Sequence, residues 1–223
     1  MKIGLIVAME SEFSNVRAAL GGVTEGRYKD SGNDVVLRQC GIGKVNAAIG
    51  TMKLITEHNP DCIISTGLAG GIGDELNVWD VVVASEMAYH DVFCGMGCEE
   101  GQVQGLPTRF EASPRLVQTA MSLELDNIDA VLHKGLICTG DQFITAENPV
   151  REILRKFPDA LACDMESAAI AHVCHLQGVP FMSIRVISDT PLKTRDHALQ
   201  WEESLKVMTG RSFDIVNRLL EKL

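Results

Sequence analysis

No apolar run in the chain approaches the roughly 18 residues that a membrane-spanning helix needs. Cationic residues are also scarce, with 20 Lys+Arg against 30 Asp+Glu and a net charge of −10. Nucleic acids and anionic membranes both demand a Lys/Arg surplus, so neither is expected as a partner. Metal-ligand spacing is missing too. Of seven cysteines, only Cys94 and Cys98 in "CGMGC" lie close together, with no His or second pair beside them. "HVCH" (His172, Cys174, His175) continues an apolar helical pattern and reads as structural. An odd number of scattered cysteines suits free thiols buried in a reducing compartment. The N-terminal "MKIGLIVAMESEF" meets acid after a short apolar run and offers no small-residue cleavage site, so no signal peptide is expected and the protein is placed in the cytoplasm. Neither "GxxxxGK[ST]" nor "GxGxxG" occurs, which removes support for nucleoside triphosphate or dinucleotide binding.

What is present is an ordinary globular composition, 46% hydrophobic and 22% charged over 223 residues, without repeat, low-complexity tract or linker. One domain spanning 1–223 is expected. Short β-branched runs at 2–9, 34–40, 61–67, 80–85, 134–140 and 180–188 read as strands buried on both faces. Helical spacing occupies 44–58, 114–124, 147–157, 166–177 and 198–220, the last through Leu205, Met208, Phe213, Val216, Leu219 and Leu220. Pro60 and Pro180 punctuate helix ends and introduce strands. The alternation predicts a single-domain α/β fold, with a mixed, largely parallel central sheet flanked by helices. Residues 89–113 form one long irregular stretch, of a length usually reserved for function.

Ligands of open α/β sheets bind beyond the carboxyl ends of strands. There the first strand runs into "AMESE", with Glu10 and Glu12 in the first turn of a helix, where dipole complementation alone would explain them. The third ends in "TGLAGGIGD", four glycines that let backbone N–H groups approach a ligand. "ACDMESAAIAHV" places Asp164 and Glu166 around Met165 at a strand-to-helix junction. "IRVISDTP" ends another apolar strand with Ser188 and Asp189. A capping or turn role suits each alone. Three carboxylates at three strand ends together point to chemistry.

In their order, "MKIGLIVAMESE", "GIGKVNAA", "STGLAGGI", "YHDV", "TGDQFI", "DMESAAIAHVCH" and "RVISD" closely resemble the bacterial 5′-methylthioadenosine/S-adenosylhomocysteine nucleosidases of the purine nucleoside phosphorylase/uridine phosphorylase superfamily. The resemblance covers essentially the whole chain and implies the nucleoside phosphorylase-like three-layer fold. It also implies hydrolysis of the N-glycosidic bond of both nucleosides, releasing adenine and a 5′-thioribose product. Such chemistry follows the two-carboxylate logic of inverting glycoside hydrolysis. Asp189 matches the acid that donates to purine N7, with Ser188 orienting it; its pKa must then rise well above about 3.9, as desolvation could provide. Glu12 matches the residue that activates water and Arg185 the arginine near that water. Glu166 matches the carboxylate gripping the ribose hydroxyls, with Met165 an apolar floor. Phe143 and the backbone of Ile144 resemble the adenine-binding segment. Met9, Leu68, Ala69, Gly70 and Trp201 are further substrate-binding candidates. The resemblance also implies a homodimer in which 89–113, through Phe93, Met96 and Pro107, covers the neighbour's 5′ pocket. No metal or organic cofactor is required.

Two positions depart from the family pattern. Leu68 stands where "TGSAGG" has a serine, and Asp164 where "EME" has a longer acid. Either change could lower activity or signal another substrate. Purine nucleoside phosphorylases carry a phosphate-binding Arg before the Gly-rich turn; "IISTGLAGG" offers Ser65 and Thr66, so water is the expected nucleophile over phosphate. The other rivals are a hydrolase of futalosine or its amino analogue, and a nucleoside-binding module without activity.

Overall fold

A computed structural model of the chain describes residues 1–29, 31–95, 97–124, 130–193, 200–204 and 213–223. Its elements are β1 (Lys2–Val7), α1 (Glu10–Ala19), β2 (Glu25–Tyr28), β3 (Asn33–Gln39), α2 (Lys44–His58), β4 (Cys62–Gly71), β5 (Val81–Tyr89), β6 (Phe110–Glu111), α3 (Pro114–Met121), β7 (Leu132–Thr139), α4 (Glu147–Lys156), β8 (Ala160–Asp164), α5 (Ser167–Gln177), β9 (Phe181–Asp189) and α6 (Asp214–Lys222). A further helical stretch covers 200–204. The six strands read from β-branched runs are all present, as β1, β3, β4, β5, β7 and β9. Three more were hidden from that reading. β2 is a half-exposed edge, β6 has only two residues, and β8 ("ALACD") is short and lacks β-branched side chains. Of the helix expected over 198–220, Leu205 and Met208 lie outside the described residues, while Phe213, Val216, Leu219 and Leu220 are buried on or beside α6.

The nine strands form one mixed sheet in the order β2-β3-β1-β4-β8-β7-β5-β6, and β9 joins β4 to β5. Five strands therefore close into a ring, β4–β8–β7–β5–β9, with β1, β3 and β2 extending from it. Pairs β1/β3, β1/β4, β4/β9, β5/β7 and β7/β8 are parallel, while β2/β3, β4/β8, β5/β6 and β5/β9 run antiparallel. Closure depends on β4 switching partners. Its Ile63–Ala69 segment follows β9, whereas Gly70 and Gly71 also pair with Cys163 and Ala162 of β8.

All nine residues of β9 are buried, as a strand covered on both faces requires. The main core gathers β1, β3, β4, β5 and β9 with α6, and a second cluster seats Val150 and Ile153 of α4 beside Leu136 and Cys138 of β7. Each such side chain contributes about 1.5–3 kcal/mol by burial. α2 and α5 end at the left-handed residues Asn59 and Gly178, ahead of Pro60 and Pro180. His172 and His175 pack on Phe110, and His172 Nδ1 lies 3.1 Å from the Tyr89 hydroxyl. No described helix is long and apolar enough to cross a membrane.

Candidate active site

The carboxyl ends of the strands surround a cavity with about 660 Å³ of empty space, mouth included. Ala8 and Met9 enter it from beyond β1, and Leu68, Ala69 and Gly70 from β4. Phe143 and Ile144 follow β7, Met165 and Glu166 follow β8, and Ser188 and Asp189 close β9. Glu12 of α1 and Trp201 complete the candidates read from the sequence. Arg185 is the exception. It is buried and absent from the lining.

Glu12 is the third residue of α1, and its carboxylate turns back to the start of its own helix, as in half of a capping box. Oε2 accepts the N–H groups of Ala8 (3.1 Å) and Met9 (2.9 Å), and Oε1 that of Leu68 (2.9 Å). The side chain thus ties the end of β1 to β4. Burial pushes its carboxyl above the usual range, while the Arg185 charge and three N–H donors pull the other way. Room for it comes from Gly67, whose missing Cβ would stand 2.9 Å from Glu12 Cδ and closer still to Oε1.

Asp164 is a hub. Thr139 Oγ1 donates to it at 2.6 Å, Arg185 Nε at 2.9 Å, and the N–H and hydroxyl of Ser167 also reach it. It therefore satisfies the start of α5 while neutralising a buried guanidinium. Arg185 Nη2 donates to Ser65 Oγ at 3.0 Å, and Nη1 has no hydrogen-bond partner among the described residues. Glu166 Oε1 accepts the Gly43 N–H at 2.8 Å. Burial and the Asp164 charge push its carboxyl up to about 7 against the opposing Arg185.

Along β4 and β9, Ala69 pairs with Ile187 and Gly70 with Asp189, leaving Ser188 as an unmatched bulge residue. Bulges re-aim side chains, and this one sets Asp189 against Gly70, with a Cβ there standing 3.6 Å from Oδ2. Ser188 Oγ lies 2.6 Å from Asp189 Oδ1 and 3.2 Å from the Ala69 carbonyl. The Ser204 hydroxyl donates to the Ser188 carbonyl at 2.6 Å, fastening 200–204 to the end of β9. At the mouth, Phe143 and Trp201 meet edge to face with centroids 5.0 Å apart.

Residues 2–221 match the model of the phosphorylase superfamily. The chain is 39% identical to the 5′-methylthioadenosine/S-adenosylhomocysteine nucleosidase of Desulfotalea psychrophila, over 99% of both chains. It belongs to this nucleosidase family. Among solved structures, the Neisseria meningitidis nucleosidase in complex with methylthio-immucillin-A superposes with a TM-score of 0.90 at 36% identity, covering 100% of this chain and 99% of that one. The Colwellia psychrerythraea nucleosidase in complex with adenine gives 0.91 at 36% identity, covering 100% and 96%.

For a member of the nucleosidase family, the two departures now have a structural setting. Leu68 presents an apolar side chain to the cavity while its N–H holds Glu12. Asp164 is short, yet Thr139, Ser167 and Arg185 all come from elements packed directly around it, so its length suits α5 and Arg185. Ser65 and Thr66 are buried and line no part of the cavity. The sequence reading did not assign Ala8, Ile42, Gln142, Cys163 and Asp164 to the lining. Asp164 alone carried a signal, its place beside Met165 and Glu166. Residues 90–109 form neither helix nor strand wherever described. Phe93 and Pro107 are exposed and are not among the residues lining their own chain's cavity, and Met96 lies outside the described residues.

Proposed function

We propose that the protein hydrolyses the N-glycosidic bond of 5′-methylthioadenosine and S-adenosylhomocysteine, releasing adenine and the 5-thioribose product. One observation carries the choice of water as nucleophile. The described lining contains Glu12, Asp164, Glu166 and Asp189 but no Lys or Arg. A phosphate dianion would meet carboxylates there without a charge-assisted partner, whereas water needs only a base.

Glu166 grips the ribose hydroxyls and Met165 lies beneath the sugar. Glu12 accepts a proton from water as its oxygen attacks C1′. The C1′–N9 bond breaks toward the purine, and Asp189 delivers a proton to N7. Ser188 has one proton for two acceptors. Its donation to Asp189 Oδ1 at 2.6 Å, the shorter of the two contacts, orients the acid toward the base. Phe143 and Trp201 supply aromatic faces for the base. Arg185 acts from behind, through Asp164 and through its charge on Glu12 and Glu166. No cofactor enters these steps.

The same reading makes the protein a cytoplasmic homodimer serving methionine salvage. α2 supports the dimer. Val45, Ile49 and Met52 are 69%, 50% and 38% exposed at helical spacing, with Ile42 and Phe93 exposed as well. Such an apolar face favours a partner surface, and 89–113 would then cover the neighbouring cavity. The test is incubation of the purified protein with 5′-methylthioadenosine, S-adenosylhomocysteine and futalosine. Adenine release from the first two is expected. Release from neither refutes the substrate assignment, and turnover of futalosine alone supports the rival hydrolase.

A further inference from the structure

Gly43, at the N-cap of α2, has no side chain with which to satisfy the first-turn N–H groups. Two carboxylates from elsewhere take the N–H groups of the cap itself and of the first helical residue. The Gly43 N–H donates to Glu166 Oε1 and the Lys44 N–H to Asp141 Oδ1, both at 2.8 Å. The Lys44 side chain then reaches both oxygens of Asp91, at 2.8 and 2.7 Å, and lies 3.8 Å from Asp141 Oδ2. Asp91 Oδ2 in turn accepts the Asp141 N–H at 2.9 Å. Lys44, Asp141 and Asp91 thus form a closed cycle of hydrogen bonds between α2, the end of β5 and the segment after β7.

The cycle stands beside two contacts of the proposed reaction. Asp141 immediately precedes Gln142, Phe143 and Ile144, which line the cavity where the base would lie. Residues 140–146 form neither helix nor strand, so their main chain depends on bonds to neighbouring segments. The side chains of Lys44 and Asp91 are only 22% and 24% exposed, which shields the pair more than an open surface ion pair. Burial would raise the Asp91 carboxyl, but the Lys44 ammonium and the Asp141 N–H hold it below the usual range.

We propose that Lys44, Asp91 and Asp141 are positioning residues that hold the base-facing segment 142–144 at a fixed offset from Glu166. The reference is the first turn of α2, where adjacent N–H groups hold Glu166 on one side and Asp141 on the other. The inference rests on the nucleosidase reading, in which one contact binds ribose and the other the purine. Because the cycle orders a site present before and during reaction, its loss weakens substrate and transition state together.

The test compares Lys44→Met, which keeps the main-chain N–H, with Lys44→Arg and the wild-type protein. Lys44→Met is expected to raise both the KM for 5′-methylthioadenosine and the calorimetric Kd for adenine about tenfold, with kcat within about threefold. Amide exchange over 141–144 should quicken, and Lys44→Arg should restore all three to within about threefold of wild type. A lower Tm with KM and adenine Kd unchanged overturns the proposal, as does a loss confined to kcat. If the wild-type protein neither binds nor releases adenine, the nucleosidase reading fails instead. The exchange difference between wild type and Lys44→Met still tests the clasp, and no change over 141–144 overturns it.

Discussion

Adding one methyl group at Gly67 tests how the fold holds its base. A Cβ there would stand 2.9 Å from Glu12 Cδ and 3.3 Å from Oε2, with Oε1 nearer still, and these are the three nearest atoms. The carboxylate cannot yield cheaply, because both oxygens are fixed by the N–H groups of Ala8, Met9 and Leu68. Overpacking of this kind costs about 1–3 kcal/mol, or about 2–6 °C in Tm for a chain of this size. The displaced base should lower kcat by about 10²–10⁴, the usual share of general-base catalysis. The φ of 153° at Gly67 adds a backbone cost that does not involve Glu12. A double-mutant cycle separates the two. In a Glu12→Ala background most of the Tm loss caused by Gly67→Ala should vanish. Equal destabilisation in both backgrounds, or wild-type kcat in Gly67→Ala alone, would refute the reasoning.

Asp189→Asn should abolish adenine release while leaving Tm and far-UV circular dichroism near wild type; turnover at the wild-type rate would sink its role as acid. Asp164→Asn leaves the buried Arg185 Nε without its anionic partner, so unfolding should become easier by about 3–5 kcal/mol in a denaturant titration. Glu166, pushed up to about 7 from its ordinary 4.5, binds ribose best when ionised, so the affinity of a substrate analogue should fall as pH drops below about 7 and stay level in Glu166→Gln. The stability effect has the opposite sign. The native state holds this proton longer than the unfolded chain, so ligand-free stability should decline as pH rises from 4.5 to 7, less steeply in Glu166→Gln.

Much of the fold was legible because its central strands are continuous apolar runs, and β9 is buried along its whole length. The strand-end carboxylates could be found because acids interrupt those runs. Glu12 shows the limit of that reading. Helix-dipole complementation explains its place in α1, but its bond to Leu68, 56 positions away, is a tertiary fact. Closure of β4–β8–β7–β5–β9 was equally hidden, since β8 has weak strand chemistry and β4 must change partners at Gly70. Asp164 read as a shortened acid and proved to be the partner of Arg185. Lys44, Asp91 and Asp141 lie 47 and 50 positions apart along the chain, and only the folded protein brings them together.

The claim that water is the nucleophile is tested most directly by incubating the protein with 5′-methylthioadenosine in phosphate-free buffer and identifying the sugar released with adenine. A cavity lined by carboxylates, with no cation among its described lining residues, predicts free 5-methylthioribose at a rate unchanged by added phosphate. Adenine release that requires phosphate and yields the sugar 1-phosphate would contradict it.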